Sequence, residues 1–336
     1  MRIAPVRPWP WILVVAAALV LWAHEVPFPA QGRLDAHSPF TLLAAMRVPI
    51  VVLLAAAAAG WIAAALLLAR PVLAPVVLLL AAVASAVQIA PRVLGTSGPM
   101  PSGGPAVTIL SANVLRSEVA PATLVALVRR TRAQVVALPE ANAVLARRTA
   151  RALQAATGRP WTALTDARGG PDDDGSARPT SLLVRSNLRP RRLAPPSSTS
   201  GAHGAVRVRL TLVGGRPMTF SAVHPLPPAL LASQAAWRAN LLRLRPQCRA
   251  GEVLAGDFNA TLDHSPFRAL IGAGCHDAAS DRGEGLRATW TGGPLGITRP
   301  AIDHVLSGGR WRATKAGVLR IAGSDHRAVW ARVASE

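Results

Sequence analysis

From Val48 to Ala69 the chain runs for 22 residues without a charged side chain, between Arg47 and Arg70. A helix rises about 1.5 Å per residue, so this stretch is long enough to cover the roughly 30 Å hydrocarbon core of a bilayer. Val72–Ala90 is a second apolar run, separated from the first by Arg70-Pro71, and the two together predict a helical hairpin. A shorter run, Trp11–Ala23, follows Arg2 and Arg7, a pattern that fits either a signal-peptide core or a further span. The residues after Trp22, Ala23-His24-Glu25-Val26-Pro27, offer no small-x-small cleavage site, which favours the uncleaved span. The reading is an N-terminal transmembrane region over residues 1–94 with three helices, at about 10–26, 48–69 and 72–90. With the basic N-terminus inside, three crossings put everything after Arg92 on the extracytoplasmic side of a cell membrane. Arg33 and Arg47 then lie on the outer side, against the usual bias, with Glu25 and Asp35 to offset them.

Residues 95–105, GTSGPMPSGGP, have no apolar periodicity and read as a flexible linker. Beyond it the composition changes. The whole chain has a mean hydropathy of +0.31 and a formal charge of +20, yet residues after 104 hold 31 basic and 15 acidic side chains, a net of +16. Lys315 is the only lysine. A basic surface of this size suits polyanionic partners, nucleic acid or anionic lipid headgroups. The arginine bias also accompanies abundant Ala, Gly and Pro, as GC-rich coding produces, so charge alone assigns no partner. The two cysteines, Cys248 and Cys275, flank one candidate catalytic segment. They read either as a disulfide, worth roughly 3 kcal/mol in an oxidising compartment, or as two buried thiols.

Residues 106–336 read as one α/β unit. Short β-rich runs, VTILSA (107–112) and QVVALP (134–139), each precede a helical pattern, at 117–131 and 140–156. Later runs, at 181–185, 206–213, 218–224, 251–257, 301–306 and 326–333, more often follow one another directly. This order predicts a mixed sheet or a two-sheet sandwich with helices outside. The acidic run GGPDDDG (169–175) lacks the alternating ligands and the downstream Glu of a calcium loop and reads as a solvated surface loop.

Polar residues recur at the ends of the apolar runs: Asn113, Glu140, His224, Asp257 with Asn259, Asp303 with His304, and Asp325 with His326. Sheets of this kind present their chemistry at strand ends. Any one of these residues alone is as well explained by a turn or a helix cap. Their order adds more. Gly256-Asp257-Phe258-Asn259 and Ser324-Asp325-His326, with SANV (111–114), LPE (138–140), AVHP (222–225) and IDHVL (302–306), resemble in sequence order the motifs of the endonuclease/exonuclease/phosphatase family. The resemblance spans essentially all of 107–335 and implies the deoxyribonuclease I-like fold, a two-sheet α/β-sandwich (α+β), here preceded by the transmembrane region. It implies a Mg²⁺-dependent phosphodiester hydrolase, with Mn²⁺ or Ca²⁺ as alternative ions.

A phosphodiester is anionic, so its hydrolysis requires charge neutralisation, an activated water and a stabilised leaving oxygen. By the resemblance Glu140 is the main metal ligand, supported by Asn113 and Asp325. Asp303 and His326 form the carboxylate–histidine pair, Asp257 and Asn259 converge on the attacking water and the phosphate, and His224 contacts the phosphate or protonates the leaving group. Leu115 stands where many of the family's nucleases carry a second acid, which favours a single metal, and the chain has no tyrosine to supply a phenol. His264 reads as a helix-start residue, and His304 as pointing away from the site. Trp290 fits a cleft wall or ordinary packing equally well. The substrate stays open between nucleic acid and a phospholipid beside the bilayer. A catalytically silent module that holds an anionic ligand is the remaining alternative, disfavoured by the complete polar set.

Overall fold

The computed structural model describes residues 8–28, 32–96, 101, 104–166, 178–195, 204–228, 231–292 and 299–336. It divides into two units, Met1–Pro91 with Asp263–Ser265, and Arg92–Leu262 with Pro266–Glu336. The acidic run at 172–174 and most of the linker lie outside the described residues.

The first unit is built on three helices, α1 (Trp9–Trp22), α2 (Arg47–Leu67) and α3 (Leu73–Ile89). Among the described residues two helical stretches, Arg47–Leu67 and Leu73–Leu94, are long and apolar enough to cross a membrane, while α1 is shorter. Their apolar side chains are turned outward: Leu53, Leu66, Leu67, Leu73, Leu80 and Val87 are between 62% and 87% exposed. Two of the arginines of this unit are paired. Arg33 meets Glu25 at 3.3 Å. Arg47 is buried, donating to Asp263 at 3.1 Å and to Gln88 at 2.6 Å. His264 reaches the Thr41 carbonyl through Nε2 at 2.9 Å.

The second unit is a sandwich of two six-stranded sheets. Its strands are β1 (Ala106–Ser111), β2 (Val135–Pro139), β3 (Trp161–Thr165), β4 (Thr180–Arg185), β5 (Arg191–Leu193), β6 (Ala205–Thr211), β7 (Pro217–Val223), β8 (Val253–Asp257), β9 (Cys275–Asp277), β10 (Asp303–Gly308), β11 (Trp311–Arg320) and β12 (Arg327–Ser335). One sheet has the order β11-β12-β1-β2-β4-β3 and the other β9-β10-β8-β7-β6-β5. Alternate residues of each strand face the space between the sheets: Val107, Ile109, Val135, Ala137, Val206, Val208, Phe220, Val253, Ala255 and Val305 form this core. The residues between them in β1 and β2, Leu110, Val136 and Leu138, instead face helices α4 (Pro121–Thr131) and α5 (Ala143–Thr157) through Leu124, Leu127, Leu145 and Leu153. The expected two-sheet architecture is therefore present.

Two parallel pairs decide where the chemistry gathers. β1 and β2 are parallel with α4 as crossover, and β7 and β8 are parallel with α6 (Leu231–Leu242) between them. The C-terminal ends of all four point the same way. β10 and β12 run antiparallel to β8 and β1, so their N-terminal ends arrive at that same edge. Cys248 and Cys275 are joined as a disulfide that ties the short helix Arg245–Arg249 to β9.

Candidate active site

The convergence of strand ends brings Asn113, Glu140, His224, Asp257, Asp303 and His326 into one buried group, each 7% exposed or less. Asn113, just past β1, donates its amide to Glu140 Oε1 at 3.2 Å and to Asp257 Oδ2 at 3.0 Å. It thereby ties a residue from the β2 end to one from the β8 end, across the two sheets. Its own Oδ1 accepts Leu115 N–H at 3.0 Å. Glu140 follows Pro139 with φ of +63°, a conformation that non-glycine residues adopt only when their surroundings enforce it. Here Arg116 N–H donates to Glu140 Oε2 at 3.0 Å and the Ser117 hydroxyl binds its carbonyl at 3.1 Å. The Arg178 guanidinium donates to Glu140 Oε1 at 2.9 Å.

Opposite stands the carboxylate–histidine pair. Asp303 Oδ2 accepts His326 Nδ1 at 2.8 Å, while His326 Nε2 lies 3.7 Å from Asp257 Oδ2. His224 Nε2 is 3.6 Å from the same oxygen, so Asp257 sits between two imidazoles. Thr289 Oγ1 accepts the Asp303 N–H at 2.9 Å and holds the start of β10. Burial, and then the adjacent Asp303 carboxylate, push the Asp257 carboxyl up to about 7, against the pull of His326 and the hydrogen bonds from Asn259 and Asn113. Burial works against the charged form of His326, but Asp303, Asp257 and Asp325 outweigh it and raise its pKa to about 10. At neutral pH the imidazole is therefore a cation held by carboxylates, beside a carboxyl near its midpoint.

Two expected residues are placed differently from the rest. Asn259, at φ of +50°, donates its backbone N–H to Asp257 Oδ1 at 2.8 Å, but its side-chain amide binds the Pro225 carbonyl at 3.0 Å. The amide thus anchors the loop that carries His224. Asp325 accepts the Trp290 indole at Oδ2, 2.9 Å away, and Ser324 next to it donates to the Asn113 carbonyl at 2.9 Å. Of the two readings of Trp290, the structure gives it a polar contact within the site. Arg178 has no signal in the sequence, since nothing local marks it as the partner of a residue 38 positions away.

The donor set suits a hard divalent cation. Among the described residues, Asp303 Oδ1 and Asp325 Oδ1 are buried carboxylate oxygens without a hydrogen-bond partner, an arrangement that calls for a cation or donor. Ligand atoms of Asp257, Asp303 and His326 lie within 4.8 Å of one another. His326 Nδ1 is already bound to Asp303 Oδ2, so the trio can hold a proton between its members as well as a cation. Glu140 and Asp325 carry carboxylate oxygens and Asn113 an amide oxygen, the donor types such a cation takes.

A two-sheet sandwich with carboxylates, amides and imidazoles meeting at one edge is the framework of a phosphoester hydrolase. The profile of the Endonuclease/Exonuclease/phosphatase family matches residues 110–326, and the chain belongs to that family, whose members hydrolyse phosphoesters. The crystal structure of an endonuclease/exonuclease/phosphatase from Beutenbergia cavernae superposes with a TM-score of 0.55 at 16% identity, over 69% of this chain and 72% of its own. D. rerio TDP2 complexed with single strand DNA product gives 0.52 at 14% identity, over 68% and 99%. The Bacteroides thetaiotaomicron mannosyl-6-phosphatase gives 0.51 at 14% identity, over 68% and 99%. These likenesses establish a shared fold. No curated protein matches the chain in sequence.

Proposed function

We propose that the protein is a membrane-anchored, Mg²⁺-dependent phosphodiester hydrolase that works on the extracytoplasmic side, with nucleic acid as its substrate. The observation that carries this reading is the Asp303–His326 pair facing Asp257, which Asn113 in turn ties to Glu140. In this reading Glu140, Asn113 and Asp325 hold the ion, which supplies neutralisation of the phosphate charge when bound. Asp257, near its midpoint at neutral pH, takes a proton from the attacking water, and the Asn113 amide fixes the carboxylate that does so. The His326 imidazolium, oriented by Asp303, hydrogen-bonds a phosphate oxygen and stabilises charge that builds on it. His224, beside Asp257, gives a proton to the departing oxygen.

Two features support the location. The outward apolar faces of α2 and α3 suit lipid, and a Cys248–Cys275 bond persists in an oxidising compartment. The pairing of Arg33 with Glu25 and of Arg47 with Asp263 lessens their weight against an outside loop. Among structural neighbours one holds a single-strand DNA product and another is a mannosyl-6-phosphatase, so the fold serves more than one phosphoester. A phospholipid substrate is the second reading, favoured by a bilayer tether.

The test is hydrolysis of plasmid DNA and of phospholipid vesicles by the full chain in non-ionic detergent, with Mg²⁺, with EDTA, and with His326→Ala. DNA cleavage that EDTA and the substitution both abolish is the expected result. Lipid turnover alone would transfer the assignment to the second reading, and turnover of neither would leave the silent binding module.

A further inference from the structure

Beside His326 lies a cavity of about 260 Å³ that the mechanism above does not use. Ser324 and His326 are among its lining residues, with Arg299, Arg320 and Arg327 and the small or apolar run Ile321-Ala322-Gly323. Arg320 and Arg327 are direct cross-strand partners at the β11–β12 end, two like charges placed face to face. Such an arrangement is unfavourable in an isolated sheet unless an anion sits between or above the pair. Among the described residues neither arginine has an acidic partner, and no carboxylate lines the cavity. Nor does a tryptophan or phenylalanine line it, so it offers no stacking face for a base. What it offers is guanidinium groups, which match phosphate oxygens in fork geometry.

We propose that this pocket is a subsite for a second phosphate, the one next to the scissile phosphate in a single nucleic-acid strand. The inference is built on the hydrolase reading above and narrows its substrate class. A cationic headgroup such as choline, projecting beyond a scissile phosphate at His326, would meet Arg320 and Arg327 and be repelled. A strand that continues as a polyanion is attracted, and by its backbone, so the subsite favours nucleic acid of any sequence.

The test measures binding and turnover separately, on the full chain in non-ionic detergent. A fluorescent single-stranded oligonucleotide is titrated in EDTA between about 50 and about 200 mM salt, against wild type and Arg320→Gln/Arg327→Gln. Each lost phosphate contact lowers the log–log salt slope by about 0.7 for a single strand. The expected result is a weakening of tenfold or more and a slope reduced by about 1.4. Arg320→Lys/Arg327→Lys, which keeps both charges, should retain most of the slope. Arg191→Gln/Arg209→Gln removes the other directly opposed arginine pair among the described residues, on β5 and β6, and controls for bulk charge. In Mg²⁺, kcat/KM of the glutamine variant should fall tenfold further for the oligonucleotide than for bis-p-nitrophenyl phosphate, which carries one phosphate. Equal slopes for wild type and the glutamine variant would overturn the subsite, as would an equal loss in the β5–β6 control. Binding of polyphosphorylated inositol lipid vesicles in place of the oligonucleotide would overturn it too. A reduced slope with no turnover of any substrate would sustain the subsite while removing the hydrolase reading, so the two fail separately.

Discussion

Two buried aspartate–histidine pairs stand back to back on β10, and they differ in what surrounds the second ring nitrogen. Asp303 holds His326 at Nδ1 on one face, at 2.8 Å, and the next residue along, His304, is held by Asp277 at Nδ1 on the other, also at 2.8 Å. The Nε2 of His304 is closed off by the Ala260 carbonyl at 2.9 Å, and its ring packs against Phe258 and Phe267. The Nε2 of His326 faces Asp257, and His326 also lines the arginine pocket. Pairing with a carboxylate is therefore no mark of chemistry by itself. An imidazole edge left toward other titratable groups and toward a cavity is what distinguishes the pair proposed as reactive from the structural one.

The sharpest way to break this comparison is to delete each imidazole. His326→Ala should lower kcat/KM by about a thousandfold, the upper end for losing one preorganised donor to a developing charge, with the fold retained. Steady-state kinetics with the Mg²⁺-loaded full chain decides, and a loss of tenfold or less would place the chemistry elsewhere. His304→Ala should act on stability instead. It strands the buried Asp277 carboxylate and frees the Ala260 carbonyl, costing about 3 kcal/mol. For a unit of this size that is a fall in Tm of roughly 6–12 °C. Burial opposes the charge on His304, yet Asp277 and the Ala260 carbonyl outweigh it and raise its pKa. A raised histidine pKa contributes stability that is complete below the unfolded value and is lost as pH rises through the folded one. The Tm gap between wild type and His304→Ala should therefore be widest in mild acid and narrow toward alkaline pH; a gap that widens would refute the imidazolium.

The pH profile sharpens the other half. Asp257 is a base only when deprotonated, so kcat/KM should fall about tenfold per unit below pH 7, reaching about a hundredfold near pH 5. His326 acts as a cation, and its loss should bend the profile down only above about pH 10. Asp257→Asn should flatten the acidic limb of whatever activity remains. An acidic limb centred near an ordinary carboxylate pKa would mean that burial and Asp303 do not set the base.

How much of this is legible in the sequence follows from local pattern. Asn113, Glu140, Asp257 and His326 each sit where a β-rich apolar run stops or starts, and strand ends that share a sheet edge must meet. The strand Trp311–Arg320 was not legible, although it pairs along the whole of β12. A register shift between Ala313 and Lys315 breaks its alternation, so no period of two survives in WRATKAGVLR. β5 and β9, three residues each, carry too little pattern to detect. The direction of the Asn259 amide depends on a left-handed φ that its sequence neighbours do not announce. Arg178 and Arg320 come to the site only through tertiary placement, and although Arg327 directly follows His326, in a chain this rich in arginine no local signal separates any of the three from solvated ones.

The smallest effect tests the third carboxylate on the reactive side. The Trp290 indole is the donor to Asp325 Oδ2, at 2.9 Å, and Asp325 Oδ1 is buried without a partner among the described residues. If Asp325 holds the ion, the indole orients a ligand, and partners of that kind are worth at least about tenfold in metal affinity. Trp290→Phe keeps the aromatic bulk and removes only the N–H. The concentration of Mg²⁺ giving half-maximal activity should then rise about tenfold, at the low end of that range, with kcat at saturating Mg²⁺ changed less. Trp290→His, which restores a ring N–H in a smaller frame, should recover part of the loss. An unchanged Mg²⁺ requirement in Trp290→Phe would remove Asp325 from the ligand set and leave Glu140 and Asn113 to hold the ion, with the Trp290 hydrogen bond serving only to fasten the turn before His326.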